Sequence, residues 1–484
     1  MVFSSIVFLL YFLPIFLSIY FLADKRYKNF VILFFSIIFY SWGAPKFIFV
    51  LLGTTFLDFH LVHFMYNSTT DLKRRLVLVF SILMNVGLLF YFKYCNFFID
   101  NLNSVFDYLH FHFNLSIRAK HIKLLEVVMP IGISFYTFET LTYVIDVYRR
   151  VHAPLRKFWD YQTYIILFPK LIAGPIIRYH EIADQITDRE RNDTIDFKLT
   201  GFYQFVIGLC KKVLIANLMG KYSSSIFNQD YVHLSSSMAW IGILAYTFQI
   251  YFDFSGYSDM AIGLGRMMGF EFPENFNNPY TSQSITEFWK RWHITLGNWM
   301  KNYLYIPLGG NRVNNKWRLF FNLWLVFLIS GFWHGASWCF IAWGAYHGLF
   351  LVLERGFLLK FYKKVPSFFR MILTFIIVSS GWVFFRSDTI EKAISYLQAM
   401  YSFRGINLVY IPFQSSFYII FCLSVLFSFF TFWVVGKKLQ ERLYAPYHSL
   451  KVNVLLSVAA VFLFIICISN IAAEGFNPFI YFRF

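Results

Sequence analysis

The chain has 484 residues, 58% of them hydrophobic and 14% charged, with 64 Phe, 32 Tyr and 13 Trp. Soluble domains average roughly 45–50% apolar and 25% charged residues, so this composition excludes a soluble enzyme and predicts a polytopic membrane protein. The formal net charge of +17 does not call for a nucleic-acid partner, because Lys and Arg gather in short stretches between apolar runs, at Lys73 to Arg75, Arg149-Arg150 and Lys437-Lys438, as retention of basic loops in the cytoplasm predicts.

In chain order, Val2 to Leu22 is long enough to span, with Pro14 expected to kink it. Residues 30 to 41 are too short to cross alone; Phe47 to Tyr66 and Leu76 to Phe98 are spans, and Tyr91-Phe-Lys-Tyr-Cys-Asn96 reads as an aromatic and basic interfacial edge. Ile99 to Lys123 is expected as a polar outer loop. Two segments, Met129 to Glu139 and Phe168 to Arg178, mix Pro, Gly and polar groups with apolar residues. Such broken helix persists at membrane depth only where protein or a water-filled cavity satisfies its backbone, so both are expected to be re-entrant.

Phe202 to Leu218 carries Lys211 and Lys212 and is expected in or near the interface, whereas Ala239 to Met260 is a span that takes Asp253 and Asp259 into apolar territory. Three more spans, Phe368 to Phe385, Phe417 to Val435 and Val454 to Ile468, lead to a tail, Phe476 to Phe484, that the charge bias places outside. The expectation is an all-α bundle of about eleven transmembrane helices forming one integral domain over residues 1–484, with a catalytic core at about 127–358. The five cysteines are single and read as small buried hydrophobes.

Chemistry concentrates between Glu287 and Gly348. At about 100° per residue, Ile285, Phe288, Trp289, Trp292, Leu296, Trp299, Met300 and Tyr303 share one face of a helix, and Glu287, Lys290, Arg291, Asn298, Lys301 and Asn302 the other. This predicts an amphipathic interfacial helix with His293 on the border between faces. Its cations suit membrane lipid phosphates, and Lys290, Arg291, Lys301 and Arg312 also suit an anionic acyl donor. Beyond it, about fourteen apolar residues, roughly 21 Å of helix, precede His334. That falls short of a ~30 Å hydrocarbon core, so His334 is expected inside the membrane.

Most isolated apolar histidines only pack, but depth, flanking Gly331 and Gly335, and the walls offered by Trp333 and Trp338 favour catalysis here. A neutral imidazole is the usual general base for a hydroxyl proton. His347 suits packing or a supporting role equally. Asp253 and Asp259, six residues apart, lie about 240° from each other on a helix and cannot form one carboxylate pair. No nucleophile-elbow, Walker or HExxH motif is present; His60 and His63 lack a third ligand, so no metal is expected.

The runs YFDFSGYSDMAIGLGRMMGF from Tyr251, SITEFWKRWHITLGNWMKNYLYIPLGGNR and FWHGASWCFIAWGAYHG resemble the membrane-bound O-acyltransferase family, in its bacterial alginate O-acetyltransferase branch. LLFYFKY, MPIGISFYTFETLTYVIDVYR, LIAGPIIR and the closing FIYFRF extend the resemblance over almost the whole chain. It implies helices around a tunnel, a catalytic histidine at His334 and its upstream partner at His293. It further implies acetyl-CoA as cytoplasmic donor with no tightly bound cofactor, an extracytoplasmic polysaccharide acceptor and a periplasmic SGNH-type partner, in the bacterial inner membrane. Peptidoglycan is the alternative acceptor. Outside enzymology, broken helices and intramembrane Asp also suit a transporter of acetylated or lipid-linked sugar, and a scaffold for a polysaccharide synthase is a further reading that leaves the histidines unexplained.

Overall fold

In hydrocarbon every backbone polar group needs an internal partner, and a chain this apolar answers that requirement with helices. The computed structural model describes all residues except 114–120, 404, 406–410, 446, 474 and 476–484. Among the described residues there is no strand beyond one isolated bridge between Phe276 and Trp292. Six helical runs are long and apolar enough to cross a membrane: Phe47–Asn67, Asp71–His112, Ile195–Phe227, Ser367–Arg386, Ser415–Phe432 and Leu450–Ala473. The protein is therefore a multi-pass membrane protein. The tail expected outside lies beyond the described residues.

Several expectations change. The first run opens as a π-helix, Val7–Phe12, directly before Pro14, which has no N–H to give to the preceding turn. The span expected to end at Phe98 continues through a π-turn, Phe90–Tyr94, into the helix Cys95–Phe113. The outer loop expected from Ile99 is thus helical in its first part.

The run Ile195–Phe227 is one continuous helical stretch, long and apolar enough to span where an interfacial segment was expected. Its two lysines are neutralised one by one on the neighbouring helix Ser236–Met267: Lys211 pairs with Asp259 at 2.6 Å and Lys212 with Asp253 at 2.9 Å. Paired in this way, charges are tolerated inside a bundle. The helices touch backbone to backbone at Gly208 and Gly256, where a Cβ on either would strike the other's carbonyl. The cysteines are not uniformly buried: Cys339 and Cys467 are, Cys422 is exposed on an apolar helix, and the Cys210 and Cys467 thiols lie 3.6 Å apart.

Basic residues of the loops are tied to neighbouring elements: Arg74 donates to Tyr148 O at 2.7 Å, Lys28 pairs with Asp193 at 2.7 Å, and Arg189 donates to Met268 O at 3.0 Å. The two Pro- and Gly-bearing segments are broken as expected. Gly132 sits at φ 78° ahead of the buried helix Ile133–Tyr148, and Phe168–Leu171 makes a single turn. Glu139 of the first and Lys170 of the second form a fully buried ion pair. Protein groups satisfy unwound backbone beyond it: Ile176 N donates to Thr295 Oγ1 at 3.0 Å and Tyr164 OH to Ile177 O at 3.0 Å.

Candidate active site

The stretch expected as one amphipathic helix is two. Ile285–Arg291 ends at Trp292, His293 takes a left-handed conformation at φ 47°, and Ile294–Trp299 starts afresh before widening into the π-turn Met300–Tyr305. The break is held from outside the helix: Ile294 N donates to Asn275 O and Asn277 N to Arg291 O, both at 2.9 Å. The first helix is capped twice over. Ser284 Oγ accepts from Glu287 N at 3.0 Å, and the buried Glu354 carboxylate accepts from Ile285 N at 2.6 Å and from the Thr286 amide and hydroxyl at 2.8 and 2.6 Å. A carboxylate at a helix N-terminus meets four unsatisfied N–H groups and the positive end of the dipole.

His293 lies buried at this break, not on a surface border. Its Nδ1 lies 3.0 Å from Asn275 Oδ1, which also accepts from the Thr295 amide at 3.3 Å and the Thr295 hydroxyl at 3.0 Å. An oxygen already committed to two donors accepts a third, so Nδ1 carries the proton and Nε2 is the basic nitrogen of the neutral ring. Burial lowers the imidazole's pKa and keeps that neutral form.

His334 is the last residue of the helix Lys316–His334. It is 7% exposed, and its Nδ1 is buried without a hydrogen-bond partner among the described residues. Edge-on rings of Trp333, Trp343 and Phe385 enclose it, with centroids 4.9, 5.2 and 5.3 Å away. Trp333 also lies 6.5 Å from His293, so one indole touches both imidazoles. Phe138 stacks on that indole at 5.0 Å and on Trp299 at 3.9 Å, tying the buried helix Ile133–Tyr148 to the site. Gly331 lets this helix meet Gly344 of Trp338–Leu353 backbone to backbone; a Cβ there would run into the Phe340 carbonyl.

Trp338 is not a wall of this site. It is 57% exposed and donates its indole N–H to Asn101 at 3.0 Å; Trp343 and Phe385, further along the chain, take its place. Lys93 is likewise no interfacial residue, because the π-turn aims its ammonium at Trp333 O (2.7 Å) and His334 O (3.1 Å). His347 is fully buried among Trp289, Trp343 and Tyr346, at 5.0, 5.2 and 5.3 Å, with neither ring nitrogen hydrogen-bonded among the described residues. Asp253 and Asp259 belong to separate ion pairs, as their angular separation requires.

A cavity of 1080 Å³ lies beside this centre, lined among others by Lys211, Asp259, Asn275, Lys290, Arg291 and Lys437. It brings together two of the four cations expected for an anionic donor. The other two, Lys301 and Arg312, are exposed elsewhere and do not line it. Asn275 is the shared wall: one side faces the cavity and its amide oxygen holds His293. Sequence reasoning missed Asn275, Lys93 and Glu354, for which no local motif gives a signal.

Comparison with known proteins decides the class of chemistry. The model of the MBOAT, membrane-bound O-acyltransferase family, matches residues 148–387. The probable alginate O-acetylase AlgI of Pseudomonas aeruginosa is 42% identical over 406 residues, which cover 83% of this chain and 75% of that protein. That of Azotobacter vinelandii is 37% identical over 514 aligned residues covering 100% of both. The chain belongs to the membrane-bound O-acyltransferase family. It is also 34% identical over 450 residues to the peptidoglycan O-acetyltransferase of Helicobacter pylori, covering 86% of this chain and 82% of that one. The activity of this acyltransferase is acyl transfer to oxygen, and the matched segment holds Asn275, His293, His334 and His347 together.

Proposed function

We propose that this membrane-bound O-acyltransferase moves an acetyl group from cytoplasmic acetyl-CoA to hydroxyls of an extracytoplasmic polysaccharide of the alginate type. The observation that carries the reading is the His334 imidazole, almost wholly buried yet with an Nδ1 that has no partner among the described residues, next to an indole it shares with His293. A buried polar atom without a partner calls for an explanation, and an acceptor hydroxyl supplies one for a ring in this setting.

In this mechanism His334 takes the proton of the acceptor hydroxyl as its oxygen attacks the thioester carbonyl. The C–O bond forms, the C–S bond breaks, and the proton passes on to the departing thiolate, giving ester and free CoA. His293, fixed as the Nδ1–H tautomer by Asn275, orients or assists through Nε2. The cavity admits CoA, and Lys290 and Arg291 on its wall attract the CoA phosphates. The acceptor hydroxyl belongs to the sugar or to a serine of a periplasmic SGNH-type partner; the second route carries acetyl across the membrane without moving acetyl-CoA. Residues 1–484 act as one domain of about eleven crossings in the inner membrane, the shorter helices completing the six long ones. Family membership favours chemistry over the transport and scaffold readings.

The Helicobacter relative favours peptidoglycan as the second acceptor. Acetyl content measured separately on exopolysaccharide and peptidoglycan, from cells with and without the chain, distinguishes them. Loss confined to the exopolysaccharide is expected; loss confined to peptidoglycan overturns the first acceptor in favour of the second.

A further inference from the structure

We infer that Lys93 is a positioning residue for acyl transfer, an ammonium bolt that fixes the His334 end of its helix against two other elements. The inference rests on the assignment of His334 as the base.

The last four carbonyls of a helix have no intrahelical partner. Lys316–His334 stops abruptly: Gly335 is extended at φ −164° and ψ 148°, and the backbone turns away. The carbonyls of Trp333 and His334 are left at the dipole's negative end, inside the protein. Lys93 Nζ meets both, at 2.7 and 3.1 Å, and gives its third proton to Ser134 Oγ at 3.2 Å. An ammonium has three N–H donors, so all of them are engaged. None remains for a substrate oxygen, which makes this a positioning group and not a catalytic one.

Two independent features aim it there. The Phe90–Tyr94 stretch is a π-turn inside an otherwise continuous helical run, and such turns re-aim side chains, often at functional sites. Tyr94, the next residue, packs its ring on Phe332 at 4.4 Å and its hydroxyl lies 3.4 Å from Trp333 O. Ser134 stands just past Gly132, at the start of the buried helix whose Phe138 stacks on Trp333. Lys93 therefore ties the π-turn, the broken-helix element and the histidine-bearing helix end at one point. Hydrogen bonds from a cation are stronger than neutral ones, and the His334 residue whose carbonyl takes one of them is constrained with it.

Membrane vesicles oriented to expose the cytoplasmic face, from cells producing the full chain, keep any partner in place; CoA release from added acetyl-CoA gives kcat and KM. Displacement of a catalytic group by about 1 Å costs on the order of 100-fold. Lys93→Gln is expected to lower kcat about 10- to 100-fold with KM for acetyl-CoA within about twofold of wild type, and Lys93→Arg to recover most of kcat. Ser134→Ala, which keeps the charge and removes one acceptor, should lower kcat about threefold at unchanged KM and serves if Lys93→Gln does not accumulate. Wild-type kcat in Lys93→Gln, or in Ser134→Ala where that variant stands in, overturns the inference, as does a change confined to KM. A His334→Ala control that is inactive beside a fully active Lys93→Gln sinks the role of Lys93 alone; an active His334→Ala sinks the assignment of the base.

Discussion

His293 and Asn275, eighteen residues apart, are joined by a 3.0 Å hydrogen bond from the imidazole Nδ1 to the amide oxygen. The same amide oxygen holds Thr295 and the same side chain lines the 1080 Å³ cavity. One residue thus sets the tautomer of the histidine and forms the wall past which a donor would reach it.

Asn275→Ala removes the acceptor for His293 and for two Thr295 donors. The expected outcome is a loss of acyl transfer of about 10- to 100-fold, together with about 1–3 kcal/mol of stability for the buried donors left unpaired. Asn275→Asp keeps the accepting oxygen and should retain more activity than the Ala variant. Rates of CoA release, normalised to the amount of chain in the membrane, give the order; equal activity in both variants would deny Asn275 this role.

The four sequence-predicted cations should separate into two pairs. Lys290→Gln and Arg291→Gln are each expected to raise KM for acetyl-CoA about two- to fivefold, the scale of a partly exposed charge contact. Arg291 also pairs with Glu287 at 2.8 Å, so its effect includes the loss of that contact. Lys301→Gln and Arg312→Gln, which lie off the cavity, should leave KM unchanged. A KM series at two salt concentrations checks this, because charge attraction weakens as ionic strength rises.

Asp253 and Lys212 form a buried pair at 2.9 Å. Removing one partner strands a charge, which costs about 3–5 kcal/mol. Asp253→Leu should therefore reduce the folded protein recovered in detergent, whereas Asp253→Leu combined with Lys212→Met should restore it. Thermal unfolding of the purified variants reads the coupling. If the double variant folds but has lost acyl transfer, Asp253 has a role in the reaction beyond the ion pair.

How much of this was legible in sequence depended on whether a feature was local. Counting apolar residues after Phe320 leads to an interior position for His334, where the side chain is indeed buried, and the broken segments at 129–139 and 168–178 follow from their Pro and Gly. The break at His293 was not legible. The stretch from Ile285 to Tyr303 keeps helical periodicity throughout, and what overrides it is a set of hydrogen bonds from residues 275–277, brought in by the fold. Lys211 and Lys212 look interfacial until their partners on Ser236–Met267 are seen. Lys93 looks the same, because a π-turn rotates side chains by an amount no apolar pattern records. Trp338 sits close to His334 in sequence but faces outward, since Gly335 redirects the chain between them.

The central claim is that the imidazole at position 334 performs the proton transfer. Acetyl content of the exported polysaccharide, measured in cells producing His334→Ala at wild-type membrane levels, tests it most directly. A positioned base contributes about 100- to 10,000-fold, so the account predicts acetylation at background. Polysaccharide acetylated to the wild-type level in that strain would contradict it.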